Sequence, residues 1–478
     1  MRNRALASLA VAVAVLVSRS ASAQPQYTPQ GDSPQWLKDR RYNEGIGIRT
    51  GDLELHPGVA GEVGYDSNWF VRSSNSGPNI QNGPPGAPVV PAVAFRVTPS
   101  LYLSTLGAHR REGDVSAQPP AVAFRFGVNA TYREFLGLSS DGSNSDISGQ
   151  HNIGGATDAR LEIAPGRPFG AALFGSFGRV IQPNQVTADP NTSFIHDDIT
   201  AGGEFVVQPG SGTLDWHLGY QFSDSLFENT NGASYDNDTH EGFMRGRWRF
   251  RPRTSLVYDG SVRFNAYADA NRARALGLVG STPVRARLGL NGLVTDRFTL
   301  LLMAGWGSSF YDTTFAKQPQ YDSVIGQAEL KWFLAASPGV QGASDLGLAL
   351  SSIAIGYNRD FQNSYLGSYY GYDRGYLKFY YFFAGRTLLT LEGGVAALEY
   401  PNVLWSDGSQ RVAAFTDLRA DATLFGEYRF SDSFGLNSTI RYSANFSNTQ
   451  LPNAPGSPLV FDLSWRRVEA YLGLRWFM

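Results

Sequence analysis

The sequence predicts an all-β protein, a transmembrane antiparallel up-and-down β-barrel of about 18 strands with short periplasmic turns and long extracellular loops. Three observations support this prediction. Segments of about ten residues alternate apolar and polar side chains, as strands with one apolar face do. Connections between the segments are short and long in turn. A secretory signal peptide precedes them.

The composition excludes several other classes of protein. The 478 residues include 53 Gly and 62 aromatics (30 Phe, 23 Tyr and 9 Trp) but only 17% charged residues, which is unlike a helical or α/β enzyme. With 40 basic and 42 acidic side chains, the chain lacks the basic surface of a nucleic-acid-binding protein. The absence of Cys and the scattering of six His predict no metal site and no cofactor.

The N-terminus has the three parts of a secretory signal peptide. Basic Arg2 and Arg4 precede an apolar run at residues 6–17, and Ala21-Ser22-Ala23 is a small-residue cleavage site. We expect residues 1–23 to be removed, 24–50 to form a periplasmic segment and 51–478 to form the barrel. No later stretch reaches the roughly 18 continuous apolar residues of a membrane-spanning helix, so a closed barrel is the membrane structure that fits.

The alternating segments, taken in order, predict an even number of strands, as bacterial barrels require. They lie near 53–66, 92–105, 121–136, 154–164, 169–181, 198–208, 213–226, 239–251, 254–264, 282–294, 298–307, 321–334, 346–360, 374–384, 387–399, 414–430, 434–446 and 461–478. Two connections on the short-turn side, 107–120 and 335–345, are long. The segment at 346–360 alternates poorly.

The C-terminal segment resembles the signal that the outer-membrane barrel assembly machinery reads. Its lipid face alternates with a polar face, and the motif residues are Tyr471, Gly473, Trp476 and Met478. Proteins with this signal usually end in Phe, and Met478 departs from that pattern. The alternative is an amphipathic strand that happens to end the chain.

The polar face predicts a charged pore lining. Basic residues gather on one wall and acidic residues on another, which predicts a transverse field that orients polar solutes or binds anionic sugar chains. The basic set is Arg245, Arg247, Arg249, Arg251, Arg263, Arg285 and Arg287, and the acidic set is Asp417, Asp421 and Glu427. The alternative is that these charges pair across neighbouring strands and simply hold water.

Two further sets of residues on the polar face suggest chemistry. Tyr376, Tyr380 and Phe382 are inward aromatics that offer flat surfaces to sugar rings, unless they pack within the wall. Asp215 and His217 project to one face, but no motif ties a Ser nucleophile to them. We therefore predict that the chain is not an enzyme.

The stretch Gly45-Ile46-Gly47-Ile48-Arg49, followed by Gly64-Tyr65-Asp66-Ser67-Asn68-Trp69-Phe70, resembles the opening of the outer-membrane family called beta-barrel porin 2. The resemblance covers about 25 residues. It implies a conduit that exports a polysaccharide, an exopolysaccharide, across the outer membrane, completed by a periplasmic polysaccharide export protein.

Two other functions remain open. One is a general or substrate-selective diffusion porin, in which residues 265–280, with Arg272 and Arg274, are the best candidate for a constriction loop. The other is a surface structural or adhesion barrel that acts through its loops. All three place the chain in the bacterial outer membrane, in contact with lipid.

Overall fold

The structure, a computed structural model, describes residues 47–478 except for 76–77, 81–88, 106–119, 139–146, 149, 182–194, 210–211, 229–231, 313–317, 335–350, 384–385 and 453. The predicted signal peptide, most of the predicted periplasmic segment, and nearly all of the two long connections at 107–120 and 335–345 lie outside the described residues.

Eighteen long strands form the barrel. They are β2 (Leu53–Asp66), β3 (Ala92–Thr105), β4 (Val122–Gly137), β5 (Asn152–Ile163), β6 (Phe169–Val180), β7 (His196–Val207), β8 (Leu214–Phe227), β9 (Asn237–Arg251), β10 (Thr254–Tyr267), β11 (Ser281–Thr295), β12 (Phe298–Tyr311), β13 (Tyr321–Phe333), β14 (Ser352–Asn363), β15 (Tyr369–Phe383), β16 (Thr387–Tyr400), β19 (Phe415–Arg429), β20 (Phe434–Phe446) and β23 (Trp465–Phe477).

Small elements decorate this barrel. A short strand precedes it, two small hairpins and a helical turn project from its loops, and one short helix follows β10. They are β1 (Ile48–Thr50), β17 (Val403–Leu404) with β18 (Gln410–Val412), β21 (Gln450–Pro452) with β22 (Val460–Asp462), the 3-10 helix Gly232–Tyr235 and α1 (Ala270–Ala275). No helix in the described part of the chain is long and apolar enough to cross a membrane.

Each barrel strand pairs antiparallel with the next, and the last strand returns to the first. In that closing pair, Gly58 of β2 lies opposite Phe477 of β23, and Asp66 lies opposite Glu469. The sheet therefore has no open edge along the barrel, and the predicted fold class, a closed antiparallel barrel of 18 strands, is confirmed.

Five predicted strands differ from the structure by three residues or more at an end, those at 254–264, 298–307, 346–360, 374–384 and 461–478. For the segment predicted at 346–360, the structure has a strand from Ser352 to Asn363, and residues 346–350 lie outside the described residues. The strand predicted at 374–384 begins earlier, at Tyr369, because residues 369–373 continue the ladder opposite 359–363. The loop between β14 and β15 is therefore short, although the Gly and Ser residues there predict a long one.

The outer face of the barrel is apolar and the strands present it by alternation. Large apolar side chains there are exposed, for example Leu302 at 44% and Leu472 at 53%. Aromatic pairs on this face lie near the short turns, such as Phe298 with Trp332 and Phe430 with Phe434, with ring centroids 6.1 and 6.0 Å apart. An apolar belt with aromatic residues at its margin is typical of outer-membrane barrels. The chain is an outer-membrane barrel.

Ion pairs between strands that are not neighbours identify the inner face. Arg160 of β5 lies 2.6 Å from Glu204 of β7, and Arg374 of β15 lies 2.7 Å from Asp421 of β19. Only side chains on the concave side of a curved sheet converge enough to meet across an intervening strand. The side chains of these pairs therefore point into the barrel.

Tight backbone approach marks the seam between β2 and β23. A Cβ added to Gly64 would lie 2.2 Å from the ring of Tyr471 and 2.5 Å from the carbonyl oxygen of Ala470. A Cβ added to Gly473 would lie 2.3 Å from Cγ of Glu62. Two of the residues in the predicted assembly motif, Tyr471 and Gly473, thus contribute to closing the barrel. The other two, Trp476 and Met478, alternate with them on the opposite face of the chain end.

A larger side chain at the seam should hinder closure. We expect Gly64→Val to destabilise the folded barrel by at least about 1–3 kcal/mol, because backbone atoms of β23 cannot move away from the new side chain. The measurement is the urea midpoint of the folded form, followed by its heat-modifiable mobility on a gel. Gly61→Val is the matched control, since nothing lies within 4 Å of a Cβ at Gly61. Equal stability of the two variants would contradict this account of the seam.

Candidate pore lining and extracellular mouth

The predicted basic ladder follows β9 along the inner face. Arg245 pairs with Glu204 at 2.7 Å, and Arg247 pairs with Asp215 at 3.3 Å. Arg249 is exposed and forms no ion pair with any described residue. Arg251 follows a register shift in the pairing of β9 with β10, which takes it out of the alternation at the periplasmic end. The ladder on the inner face therefore comprises Arg245, Arg247 and Arg249.

The remaining basic residues of the predicted set are each compensated. Arg263 pairs with Glu241 at 2.9 Å, Arg287 with Asp259 at 2.5 Å, and Arg285 with Asp360 at 2.9 Å. The guanidinium groups of Arg285 and Arg287 are buried. Their charges are neutralised locally, so they add little to the potential of the lumen.

The predicted acidic residues are also held by partners. Asp417 accepts a hydrogen bond from Asn445 at 2.9 Å, and Asp421 accepts one from Arg374 at 2.7 Å. Glu427 pairs with Arg475 at 2.6 Å and with Arg429 at 3.0 Å. These three carboxylates therefore face arginines or an amide on their own wall.

Glu204 is the centre of a charged cluster on the inner face. Its side chain is fully buried and lies 2.6 Å from Arg160, 2.7 Å from Arg245 and 3.5 Å from His217. His217 also lies 2.8 Å from Asp215. The side-chain partners of His217 are thus two carboxylates, and no hydroxyl nucleophile contacts it among the described residues. The cluster holds Arg160 and Arg245 in position.

The inward aromatics are largely committed to the wall. Tyr376 is 4% exposed, its hydroxyl donates to Glu329 at 2.8 Å, and Gln327 donates to it at 3.2 Å. The hydroxyl of Tyr380 donates to Glu392, and Phe382 is half-buried. Tyr376 therefore offers no free ring face to a sugar.

The extracellular end of β14 separates from β13, while β15 stays paired with β16 as far as Gly371, a feature that the sequence did not reveal. Pairing between β13 and β14 ends at Gly326 opposite Arg359, whereas β14 and β15 stay paired to Asn363 opposite Tyr369. Beyond Arg359, no residue of this hairpin is paired with the backbone of β13. We call residues 360–372 the mouth hairpin.

The mouth hairpin leans inward across the next three strands. Phe361 stacks on Tyr321 of β13, with ring centroids 4.2 Å apart. Arg285 of β11 lies over the Phe361 ring at 4.1 Å, and Asn363 donates to Ser281 of β11 at 2.9 Å. These contacts fix the hairpin over the inner side of the wall. The sequence contains one indication of this arrangement. Aromatic side chains occupy both faces of residues 361–372, whereas a strand between lipid and water has one apolar and one polar face.

The tip of the mouth hairpin reaches the loop between β8 and β9. The ring of Tyr365 meets the edges of Phe227 and Tyr235, with centroids 6.1 and 5.6 Å away. Burial raises the pKa of Tyr235 to about 12, so its hydroxyl stays protonated. The hairpin therefore extends over the mouth from β14 and β15 to β8 and β9.

The predicted constriction loop, residues 265–280, joins this arrangement. Ala273 and Leu278 are buried against Phe227 and Tyr235. Its two arginines are engaged locally, Arg272 with Asp269 at 3.4 Å and Arg274 with Asp312 at 3.3 Å. The loop therefore packs over the mouth, and each of its two arginines is paired with an aspartate.

Neighbouring loops extend the same cover. A Cβ on Gly277 would lie 2.7 Å from the carbonyl oxygen of Leu404, so the loop after β10 touches the loop after β16. Arg411 donates to the carbonyl oxygen of Pro452 at 2.9 Å, and Asn75 donates to Asp462 at 2.6 Å. Together with the contact between Arg274 and Asp312, these contacts tie described segments of seven extracellular loops to one another around the mouth.

Among the described residues, no group of three or more His, Asp or Glu is arranged to hold a metal ion.

No protein-family model matches the chain, and no curated protein sequence matches it, so the resemblance to the beta-barrel porin 2 family stays a prediction. Solved structures with a similar fold include a BenF-like porin from Pseudomonas fluorescens (12% identity, TM-score 0.43, 90% of this chain and 99% of that one). They also include OccK5 (OpdH) of Pseudomonas aeruginosa (9%, 0.42, 89% and 98%) and OccK2 (OpdF) of the same organism, solved with glucuronate (13%, 0.42, 89% and 98%). Similarity at this level does not assign a function.

Removing the charge of Glu204 should destabilise the barrel. We expect Glu204→Gln to lower the free energy of unfolding by about 3–5 kcal/mol, because Arg160 and Arg245 lose a buried partner. Urea unfolding in detergent micelles or liposomes measures the change. Glu162→Gln is the control, since Glu162 also contacts Arg160, at 2.7 Å, but is 35% exposed and should cost at most about 1 kcal/mol. A similar loss of unfolding free energy in both variants would show that the Glu204 cluster stabilises the barrel no more than an exposed ion pair does.

Proposed function

We propose that the chain is a diffusion channel for small solutes across the outer membrane, with a preference for anions. A closed barrel of 18 strands is wide enough to leave an aqueous lumen. The observation that carries the preference is the surplus of positive charge along β9. Three arginines on its inner face oppose two carboxylates, Glu204 and Asp215, and Glu204 is shared with Arg160.

The position of the surplus suits a permeation path. Arg247 is 51% exposed despite its contact with Asp215, and Arg249 is exposed without an ion pair to any described residue. Basic groups that stay hydrated on a concave wall raise the local concentration of anions and speed their passage. The other charged residues predicted for the pore lining are compensated by partners. Arg247 and Arg249 therefore dominate the anion preference that we propose.

The mouth hairpin supports small solutes rather than a polymer. It reaches from β14 and β15 to the loop after β8, and further loops are tied to it. A polysaccharide leaving the cell would have to displace this cover. Export with a periplasmic polysaccharide export protein, implied by the resemblance, has no contact or charge pattern in its favour within the described residues.

The first test is the ion selectivity of the purified protein in planar bilayers. We expect a channel with anion preference, and we expect the double variant R247E/R249E to lower the anion-to-cation permeability ratio by roughly an order of magnitude. The variant R167E is the control, because Arg167 lies in the turn between β5 and β6 and not on the inner face. Cation preference in the unaltered protein, or no response to R247E/R249E, would refute the proposal.

The second test concerns the mouth hairpin. Replacing residues 363–368 by two glycines should raise single-channel conductance, because Tyr365 no longer reaches Phe227 and Tyr235. Replacing the exposed residues 454–456 by two glycines is the control and should leave conductance unchanged.

A deletion strain separates diffusion from export. If the strain lost surface polysaccharide and kept its uptake of small anions, the diffusion proposal would be wrong. If uptake fell and the polysaccharide remained, the export function would be excluded. If the barrel works as an adhesin, trimming its loops should abolish adhesion, whatever the conductance of the channel.

A further inference from the structure

Exposed arginines mark the periplasmic end of the barrel. In the described turns that join barrel strands on this side, the charged residues are four arginines and two aspartates, all of them exposed: Arg167, Arg253, Arg297, Arg386, Asp296 and Asp432. Arg251, the last residue of β9, adds a fifth exposed arginine beside the turn that holds Arg253. We call these five residues the periplasmic arginines. They give this end of the barrel an excess of positive charge.

Each periplasmic arginine lies close to an aromatic residue of the outer face. A phenylalanine stands one to three positions away in the sequence, and it pairs with a second ring on the same face. The pairs are Phe169 with Phe205, Phe250 with Trp248, Phe298 with Trp332 and Phe383 with Tyr381, with ring centroids 6.2, 6.0, 6.1 and 6.3 Å apart. Aromatic rings at the margin of the apolar belt lie at the level of the lipid headgroups. The arginines beyond them therefore lie at the depth of the lipid phosphates.

Three of the periplasmic arginines meet at two adjoining turns. Arg251 and Arg253 lie at the turn between β9 and β10, and Arg297 lies at the turn between β11 and β12. The amide of Leu293 donates to the carbonyl oxygen of Arg253 at 2.9 Å, and the Arg253 guanidinium lies 2.5 Å from Asp296. These contacts hold the two turns together, with three positive charges against one negative charge.

The single carboxylate leaves this group of charges open to a further anion. The side chains of Arg253 and Asp296 are 59% and 63% exposed, so water screens their attraction. Arg251 and Arg297 form no ion pair with any residue that the structure describes. Guanidinium groups bind phosphate oxygens through paired N–H donors. The two turns therefore suit a ligand that brings a phosphate to the surface of the barrel.

Aromatic residues at the extracellular border of the outer face have carboxylate partners instead. Nε1 of Trp306 donates to Asp322 at 2.6 Å, and the hydroxyl of Tyr357 donates to Asp373. Arg359 at this border is paired with the same Asp373, at 2.5 Å. The two borders thus differ in charge, and the periplasmic arginines face the periplasmic leaflet of the membrane.

We propose that Arg251, Arg253 and Arg297 bind the headgroup of an anionic phospholipid, such as phosphatidylglycerol, in the periplasmic leaflet. The phosphate lies between the two turns, and the acyl chains lie along the outer face beside Phe250 and Phe298. A zwitterionic headgroup carries a positive group as well, which the arginines repel, so the site prefers a lipid with net negative charge. This goes beyond the proposed diffusion channel, since the site lies on the outer surface and not in the lumen.

Native mass spectrometry of the folded protein with added lipid tests the site. Phosphatidylglycerol and phosphatidylcholine are titrated into the detergent-solubilised barrel, and an apparent dissociation constant is measured for each. We expect phosphatidylglycerol to bind more tightly. The triple variant R251Q/R253Q/R297Q should weaken its binding by at least about fivefold, roughly the effect of a single arginine near an anionic membrane surface, and should leave phosphatidylcholine binding unchanged. Heat-modifiable mobility confirms that the variant folds.

The matched control is R247Q/R249Q/R272Q, which removes the same charge from the lumen and from the loop after β10. It should keep the full affinity for phosphatidylglycerol. Equal affinity of the unaltered protein for the two lipids, or an equal loss in both triple variants, would overturn the lipid proposal. So would an R251Q/R253Q/R297Q variant that keeps its affinity for phosphatidylglycerol and instead loses binding to isolated peptidoglycan. Ion selectivity is measured separately, so failure of one proposal leaves the other intact.

Discussion

Inside a membrane, backbone N–H and C=O groups find no water, and a β-sheet can satisfy all of them only by closing on itself. In this chain that closure is the pairing of β2 with β23, where Gly64 and Gly473 let backbone and side chains approach closely. Once the seam exists, every strand has two neighbours and one face must meet lipid. The alternation of apolar and polar residues along all the strands follows from this single requirement.

The inner face solves a second problem, which is how to keep many charges on a concave wall. Most of the arginines there have a carboxylate within about 3 Å, and several pairs bridge strands that are not neighbours, such as Arg285 with Asp360. Pairing avoids the cost of leaving a desolvated charge alone. It also means that the count of charged residues says little about the potential in the lumen. That potential depends on the few groups left without compensation, and among the described residues Arg249 of β9 is one of them.

The mouth depends on aromatic packing. Phe361 and Tyr365 draw the hairpin of β14 and β15 away from β13 and over the lumen, where they meet rings from β13 and from the loop after β8. The ladder between β13 and β14 is shortened as a result. Buried aromatic contacts and the hydrogen bond from Asn363 to Ser281 offset those lost pairings. The loops after β10, β16 and β20 pack onto the same cover.

By itself the sequence determined the closed barrel, the number of its strands and most of their ends, because period-two alternation is a local property that lipid on one side and water on the other impose on each strand. It placed Arg245, Arg247 and Arg249 on one strand for the same reason. Only the tertiary structure decided which of these charges stay uncompensated, since their partners come from β7 and β8. It also decided that Tyr365 reaches a loop far away in sequence. Such contacts depend on the curvature of the closed sheet, which brings distant strands together on its concave side and leaves no local pattern to read.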